Sequence, residues 1–243
     1  MNNPKGLRET LESCAPLINS FPSEIEHLVI DSSPDVHRDL RHQFPHAKWN
    51  ESPADGIYQA LNRGNRLSGG AFIWHLHSGD KLFSKQNLLA AIQRIESFPE
   101  AALIYSPILL LKEPPVWTNP LEEFRKTLLR FRIDHPGTLF RKAVIDRLGG
   151  FSEDFKLAGD YDLFVKIANL RVPTIFHPHG FTAFDVGGIS STNPRKALSE
   201  VRSSYYHLRK SPWERMLSEP RLYYGWIRHW FVEQFYARRA FKL

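Results

Sequence analysis

Cysteine is nearly absent from this sequence, since Cys14 is the only one among 243 residues. A single cysteine excludes an internal disulfide framework and a zinc site built from cysteines. Long apolar runs are absent too, and no stretch approaches the roughly 18 apolar residues that span a membrane. The opening residues, MNNPKGLRETLESC, lack the apolar segment of a signal peptide. These absences together predict a cytoplasmic protein.

Positive charge is unevenly distributed along the chain. The formal net charge is +6, from 32 Lys and Arg against 26 Asp and Glu. Residues 195–243 hold eleven of these cations and only four of the acids. The body of the protein is therefore nearly neutral, whereas a nucleic-acid-binding protein needs a basic face on its body. We expect no nucleic-acid partner, and the 42% hydrophobic content indicates a globular chain.

Predicted strands alternate with predicted helices in the first half of the chain, a pattern typical of an α/β sheet. The sequence predicts a helix over 57–67, ended by Gly69 and Gly70, and short apolar runs predict strands that lead into Asp31 and Asp80. Ligands of open α/β sheets bind beyond the carboxyl ends of the strands. The two acids therefore predict a binding site at that edge.

Each candidate acid also has a structural interpretation. Asp80 could bind a divalent cation through its oxygens, or it could hold a turn after Gly79. Asp31 could bind a ribose or a base, or it could stabilise the turn that follows it. Asp160 stands at the predicted start of a helix, where it could be a general base or only an N-cap. Spacing alone leaves these alternatives open.

Four ordered segments resemble the signature of glycosyltransferase family 2. The segment SPADGIYQALNRGNRLSGGAFIWHLHSGD has the family's Asp-x-Gly-Ile-Tyr pattern, followed by a strand that ends at an acid. The other three segments are EHLVIDSSPD, HPGTLFRKAVIDRLGGFSEDFKLAGDYDLFVKI and FDVGGISS. The resemblance covers residues 26–191. It implies a GT-A fold, which is a Rossmann-like single α/β domain with a mixed, mostly parallel sheet.

The resemblance also implies an activity. It implies an inverting, metal-dependent transferase of hexosyltransferase type that acts in cell-surface polysaccharide synthesis. The donor would be a nucleoside-diphosphate sugar, the acceptor a glycan or a lipid-linked sugar, and the cofactor a divalent cation, Mn²⁺ or Mg²⁺. Asp160 would be the catalytic base, and Asp80 would bind the metal.

Further site residues follow from the same motifs. On the donor side the resemblance implies Asp31, Ser33, Asp55, Asn62 and Gly79. On the acceptor side it implies His135, Thr138 and Asp162.

Two departures from the family pattern support a second interpretation. His77 replaces an asparagine of the family motif, and a glycine precedes Asp80, so only one acid remains there. In addition, the strand that opens family members has no counterpart before the first predicted helix, and we expect that strand to be missing. The alternative function is therefore a non-catalytic relative that binds nucleotide sugars or glycans.

The C-terminal part of the chain is predicted to be a separate extension. We predict a GT-A domain over 1–192 and a basic, aromatic, helical extension over 193–243. A helix over 221–241 would place Trp226 and Trp230 on one side and Arg228 on another. Such a helix could lie on an anionic membrane surface, at the inner face of the plasma membrane, or it could pack on the domain.

Overall fold

The computed structural model describes residues 3–130, 133–186 and 193–207. The helices in these ranges are α1 (Pro4–Ser20), α2 (Arg38–Gln43), α3 (Ile57–Leu67), α4 (Lys85–Glu96), α5 (Phe124–Leu129), α6 (Lys142–Leu148), α7 (Gly159–Leu170) and α8 (Pro194–His207). The strands are β1 (Leu28–Asp31), β2 (Lys48–Glu51), β3 (Phe72–Trp74), β4 (Lys81–Leu82), β5 (Leu103–Tyr105), β6 (Ile108–Leu111), β7 (Val116–Trp117), β8 (Thr138–Arg141), β9 (Thr174–Phe176) and β10 (Thr182–Asp185). A 3₁₀ turn, His135–Gly137, leads into β8.

The described strands form three sheets. One sheet pairs β1 with β2, the second has the order β3-β8-β5-β9, and the third has the order β4-β10-β6-β7. The pairs β1–β2, β5–β9 and β6–β10 are parallel, and the other four pairs are antiparallel. The architecture is therefore mixed α/β as predicted, but the pairing is not mostly parallel, because β8 runs antiparallel to both of its neighbours.

Local sequence explains where several helices begin and end. α1 begins after Asn3, whose side chain accepts a hydrogen bond from the N–H of Gly6 at 2.9 Å. α4 begins after Ser84, whose hydroxyl accepts from the N–H of Asn87 at 3.2 Å. Both are N-caps that satisfy a free amide of the first turn. α6 ends at Gly149, where φ is 75°, a left-handed conformation that favours glycine.

The largest hydrophobic core lies between the β3-β8-β5-β9 sheet and the helices α5, α6, α7 and α8. Its largest fully buried side chains include Tyr105, Phe140, Phe164 and Tyr205. A second core packs α4 on the same sheet. A third, small core beneath β1 and β2 includes Val29, Leu40 and Phe44. The site described below lies at the edge of the largest core.

The β1–β2 sheet is separate from the β3 sheet within the described ranges. There, β1 pairs only with β2, and β3 pairs only with β8. Side chains of α1 and α3 fill the space around β1 instead, as with Leu11 of α1 in the small core. No described strand joins the two sheets, and the absence of the family's opening strand stays a prediction.

α8 packs against α7 and belongs to the main core. Tyr205 of α8 is only 2% exposed. The predicted boundary after residue 192 therefore separates α8 from the helix on which it packs. The motif residues 187–190 and the predicted helix 221–241 lie outside the described residues. Of the described helices, none is both long enough and apolar enough to cross a membrane.

Candidate active site

Asp160 lies in the first turn of α7 beside a buried tyrosine. The hydroxyl of Tyr58 donates a hydrogen bond to Asp160 Oδ1 at 3.4 Å, and the N–H of Tyr161 donates to the same oxygen at 2.8 Å. Burial raises the pKa of Asp160 above its usual value, although these hydrogen bonds oppose the shift. A carboxylate with a raised pKa is a stronger base. Glycine is required at position 159, because a Cβ there would lie 2.8 Å from the Tyr58 ring.

The loop after β3 holds Asp80 in a buried position. Asp80 is 2% exposed, and its Oδ2 accepts a hydrogen bond from the N–H of His77 at 2.9 Å. Burial raises the pKa of Asp80 to about 7, and the nearby charge of Asp185 acts in the same direction. α1 fixes the loop, since Thr10 Oγ1 accepts from the N–H of Gly79 at 3.0 Å.

Asp185 is an acid of this site that the sequence reasoning missed. It ends β10, and a Cβ placed on Gly79 would lie 2.9 Å from Asp185 Oδ2. Gly79 also has φ 109°, which glycine adopts without strain. A sequence signal did exist, because the predicted strand over 181–185 ends in an acid, as do the strands before Asp31 and Asp80.

The two neighbouring carboxylates fit a divalent cation in part. Oxygen ligands are those that Mg²⁺ and Mn²⁺ prefer, and Mg²⁺ in particular is commonly bound by one or two carboxylates together with substrate phosphates and water. Asp80 and Asp185 would supply these two carboxylates. Within the described ranges, no group of three or more His, Cys, Asp or Glu could hold a metal ion alone. The remaining ligands would therefore come from a bound diphosphate and water.

Three buried or partly buried histidines surround the space between the Asp80 loop and α7. The ring of His135 lies 4.9 Å from that of His75 and 6.0 Å from that of His77, centroid to centroid. Burial lowers the pKa of His77 and of His135 to about 4, and it lowers the pKa of His75 well below the usual value. All three imidazoles are therefore neutral at neutral pH, and they add polarity without charge.

Known proteins resemble this chain in sequence. No protein-family model matches it. A Mycobacterium tuberculosis protein named an uncharacterized glycosyltransferase is 26% identical over 208 residues, which cover 83% of this chain and 78% of that protein. A PGL/p-HBAD biosynthesis glycosyltransferase of Mycobacterium bovis is 21% identical over 139 residues, which cover 56% of this chain and 54% of that protein.

Solved structures resemble it in fold. Staphylococcus aureus TarS 1–349, in complex with UDP, has a TM-score of 0.60 at 16% identity. That match covers 86% of this chain and 64% of the TarS chain. The mannosyltransferase PcManGT from Pyrobaculum calidifontis, in complex with GDP-Man and Mn²⁺, has a TM-score of 0.58 at 16% identity. That match covers 93% of this chain and 71% of the PcManGT chain. The chain has a GT-A glycosyltransferase fold. The resemblance to glycosyltransferases that the motifs imply is thus confirmed.

Within the GT-A fold, Asp31 ends β1 and is held by its own loop. Its Oδ1 accepts from the N–H of Ser33 at 2.9 Å and contacts His37 Nδ1 at 2.7 Å. Its Oδ2 accepts from Arg41 at 3.2 Å. Burial would raise the pKa of Asp31, but these partners outweigh burial and lower it. Asp31 is therefore a charged, 2% exposed carboxylate at the strand end, and Ser33 lies beside it.

Two other predicted donor residues differ in their surroundings. Asp55 lies in the exposed loop before α3 and forms an ion pair with Arg63 of that helix. Asn62 is 5% exposed, and its amide donates to the carbonyl of Phe151 at 2.9 Å and accepts from the N–H of Phe151 at 2.8 Å. The structure thus gives Asn62 a role in the fold, joining α3 to the loop after α6, and its contact with the donor stays a prediction.

The three predicted acceptor residues also differ in their surroundings. His135 lies beside His77, as described above. Thr138 is fully buried, and its hydroxyl donates to the carbonyl of Asp134 at 3.1 Å. Asp162 is 3% exposed, and it accepts from the Ser204 hydroxyl at 2.9 Å. Thr138 and Asp162 therefore have structural contacts, and only His135 of the three lies at the site.

Proposed function

We propose that this chain is an inverting glycosyltransferase that moves a sugar from a nucleoside-diphosphate sugar to a hydroxyl of a glycan or a lipid-linked acceptor. The observation that carries the proposal is the position of Asp160. Its carboxylate has a raised pKa, accepts a hydrogen bond from Tyr58, and lies within electrostatic reach of His77, in the loop that bears Asp80. The glycosyltransferase names of the sequence relatives support the same conclusion.

In the proposed reaction, Asp160 is the general base. The acceptor hydroxyl loses its proton to the Asp160 carboxylate while its oxygen forms a bond to the anomeric carbon. The bond between that carbon and the diphosphate oxygen breaks, and the diphosphate leaves with the electron pair. Attack from the side opposite the leaving group inverts the anomeric carbon. The proton on Asp160 then passes to solvent.

Asp80 and Asp185 would hold a divalent cation against the diphosphate of the donor. Such a cation supplies positive charge that neutralises the leaving group. The support for this cation is the hard oxygen donor set and the short approach of Asp185 to Gly79. PcManGT, a neighbour in fold, was solved with GDP-Man and Mn²⁺.

The donor half of the site would lie at the end of β1. Asp31 and Ser33 are proposed to face the nucleoside there, with Asp55 in the neighbouring loop. TarS was solved with UDP and with UDP-GlcNAc, and PcManGT with GDP-Man, so the neighbours bind hexose donors with different bases. We propose a hexosyl donor for this chain on that basis, and cell-surface polysaccharide synthesis as its setting.

The predicted helix over 221–241 adds a proposed membrane contact. Its support is the sequence pattern of arginine and tryptophan, which is typical of helices that lie on anionic lipid surfaces.

A non-catalytic, nucleotide-sugar-binding protein is the second candidate. The observation that favours it is the burial of Asp80, whose carboxylate already accepts backbone hydrogen bonds from His77 and Asp185. A protein of this kind would bind a nucleotide sugar without a metal and without releasing the sugar.

Calorimetric titration with UDP, GDP and dTDP, each with and without Mn²⁺, tests the proposal. We expect one of the three to bind, and to bind at least tenfold more tightly with Mn²⁺. Asp185→Asn should remove most of that metal effect. Asp146→Asn is the matched control, because Asp146 is an exposed acid on α6 that pairs with Lys142. Nucleotide affinity that does not depend on Mn²⁺ would favour the second candidate, and no nucleotide binding at all would refute both candidate functions.

A further inference from the structure

A chain of hydrogen bonds runs from α3 through the protein to the site. Asn65 Oδ1 lies 2.7 Å from His75 Nε2, and His75 Nδ1 lies 3.2 Å from His135 Nε2. The three residues are 3%, 7% and 6% exposed, respectively. Water therefore competes little with these bonds. The chain connects three separate elements, since Asn65 is on α3, His75 follows β3, and His135 begins the 3₁₀ turn before β8.

The amide oxygen of Asn65 sets the direction of this chain. Asn65 Oδ1 faces His75 Nε2, and a carbonyl oxygen can only accept, so in this orientation of the amide His75 Nε2 carries the hydrogen. A neutral imidazole carries one ring hydrogen, which leaves His75 Nδ1 as an acceptor. His135 Nε2 must then donate to it. By the same rule, His135 Nδ1 is left with a lone pair and no hydrogen.

The surroundings keep both rings neutral and in place. Burial lowers the pKa of His75 and of His135, so neither ring takes up a second proton at neutral pH. Phe151 packs edge-on against both rings, at 5.3 Å from His75 and 5.4 Å from His135 between centroids. Phe140 contacts both rings from another direction. These aromatic contacts restrict the rotation of the imidazoles.

His135 Nδ1 is the last atom in this chain of hydrogen bonds. Among the described residues it has no hydrogen-bond partner. The His135 ring lies beside His77, which interacts electrostatically with Asp160. Because Nδ1 has no partner but is not fully enclosed by the protein, a ligand in the site can reach it. Sugar hydroxyls are suitable hydrogen-bond donors to it.

We propose that Asn65 and His75 are positioning residues that fix His135 in its Nε2–H tautomer, and that the bare Nδ1 of His135 accepts a hydrogen bond from a sugar hydroxyl. The second part rests on the proposed function. A sugar with a hydroxyl at this position is selected over its ether or deoxy analogue, because neither analogue can donate a hydrogen bond to Nδ1.

Nitrogen NMR of the full chain with ¹⁵N-labelled histidine tests the tautomers without any substrate. We expect His75 and His135 each to show a protonated Nε2 and an unprotonated Nδ1 at pH 7.5. Protonated Nδ1 on both rings would mean that the chain runs in the opposite direction, and it would overturn the proposal. A charged His135 would overturn it as well.

A pair of substitutions at Asn65 tests the positioning role. Asn65→Gln keeps a neutral amide oxygen as acceptor and should keep the Nε2–H tautomer of both histidines. Asn65→Leu is similar in size but has no acceptor, and we expect it to lose the single tautomer of His135. If Asn65→Leu folds and leaves the His135 spectrum unchanged, Asn65 has no positioning role. If Asn65→Leu does not fold, Asn65→Ala is the second variant without an acceptor, and an unchanged His135 spectrum in it would refute the role equally.

The hydroxyl is tested by titrating the labelled protein with UDP-GlcNAc and GDP-mannose, and with UDP and GDP. We expect the nucleotide sugar that binds to shift His135 Nδ1, whereas its nucleoside diphosphate leaves that signal in place. Equal effects of the two would overturn the hydroxyl contact. If no nucleotide or nucleotide sugar binds, the proposed function fails and the hydroxyl contact fails with it, while the ligand-free spectrum decides the tautomers independently.

Discussion

Asp160 and Asp162 stand two residues apart in one motif, but their carboxylates have different surroundings. Residues two apart on a helix differ by about 200° around its axis. Asp160 therefore lies beside Tyr58 at the site, while Asp162 binds Ser204 of α8 and Lys166 of α7. The two acids form a natural matched pair for mutation.

Asp160→Asn is expected to lower the release of nucleoside diphosphate from a bound donor roughly 10²-fold or more, because an amide cannot take the acceptor's proton. Nucleotide affinity, measured by calorimetry, should stay within about twofold of the wild type. Asp162→Asn should retain most of the turnover, since its amide oxygen can still accept from Ser204. Equal losses in the two variants would contradict the assignment of Asp160 as the base.

At the scale of single residues, the sequence predicted where the acids stand along the helices and strands, but it did not predict the contacts of Asn62. Asp31, Asp80 and Asp160 stand at the ends or starts of elements, where the backbone pattern itself indicates their position. Asn62 lies in the middle of α3, and its partner Phe151 is 89 residues away in sequence. No local pattern reports such a partner. The role of Asn62 therefore required the structure.

α8 supports the loop that leads to α7, the helix that bears Asp160. Glu200 Oε2 accepts hydrogen bonds from the backbone N–H groups of Lys156, Leu157 and Ala158, at 3.1, 2.8 and 2.9 Å. These bonds satisfy three consecutive amides immediately before α7. A carboxylate is well suited to this role, because hydrogen bonds to a charged acceptor are stronger than those to a neutral one.

Glu200→Ala is expected to lower the free energy of unfolding by about 2 kcal/mol, because several amides lose their acceptor. Glu200→Gln should cost less, since one amide oxygen remains to accept. Urea denaturation followed by fluorescence measures both values. Glu96→Ala, at an exposed position on α4, serves as the control and should change stability by less than about 0.5 kcal/mol. A loss at Glu200 no larger than that of the control would refute the supporting role.

The elements with clear sequence signals were predictable, and those made by pairing alone were not. α3 spans Ile57–Leu67, the predicted range, and Gly69 and Gly70 follow it. By contrast, β7 is only Val116–Trp117, in a proline-rich segment that reads as a loop. Its residues are extended because Trp117 pairs with Leu109 of β6. Two residues are too few for a period, so only the tertiary pairing creates this strand.

Across the whole molecule, buried histidines make stability depend on pH. Burial lowers the pKa of His27, His77 and His135 to about 4 in the folded protein, against an ordinary value of 6.5. Between pH 6.5 and 4 the unfolded chain therefore binds more protons at these residues, and acid favours unfolding. Asp80 and Asp160 oppose this effect, because burial raises the pKa of both carboxyls, that of Asp80 to about 7, and the folded state binds extra protons there. Burial lowers the pKa of His75 as well. Four histidines outnumber two carboxyls, so we expect stability to fall as pH falls through this range.

Urea denaturation at pH 7.5, 6.0 and 5.0 measures this dependence, which should approach about 1.4 kcal/mol per pH unit for each net proton. His135→Gln removes one of the contributing groups and should flatten the dependence by about that amount. His42→Gln, at an exposed position on α2, is the control variant. Equal slopes for the two variants would show that His135 does not contribute.

The overall topology was predictable in class but not in pairing. Alternating strands and helices correctly indicated an α/β chain. They could not indicate that β8, residues Thr138–Arg141, inserts antiparallel between β3 and β5. That arrangement joins segments far apart in the sequence and depends on which edges the rest of the fold leaves open. Periodicity describes a strand's faces and says nothing of its neighbours.

The contacts of α8 also bear on the order in which the protein can fold during synthesis. Glu200, Ser204 and Tyr205 follow Asp160 by forty residues or more, yet they hold the loop and the helix on which Asp160 stands. Chains emerge from the ribosome N-terminus first. The β1–β2 unit and the β3–β8 pair can therefore form before α8 is made, while the helix that bears Asp160 waits for α8. The proposed base is completed late, after the strands that precede it have already been made.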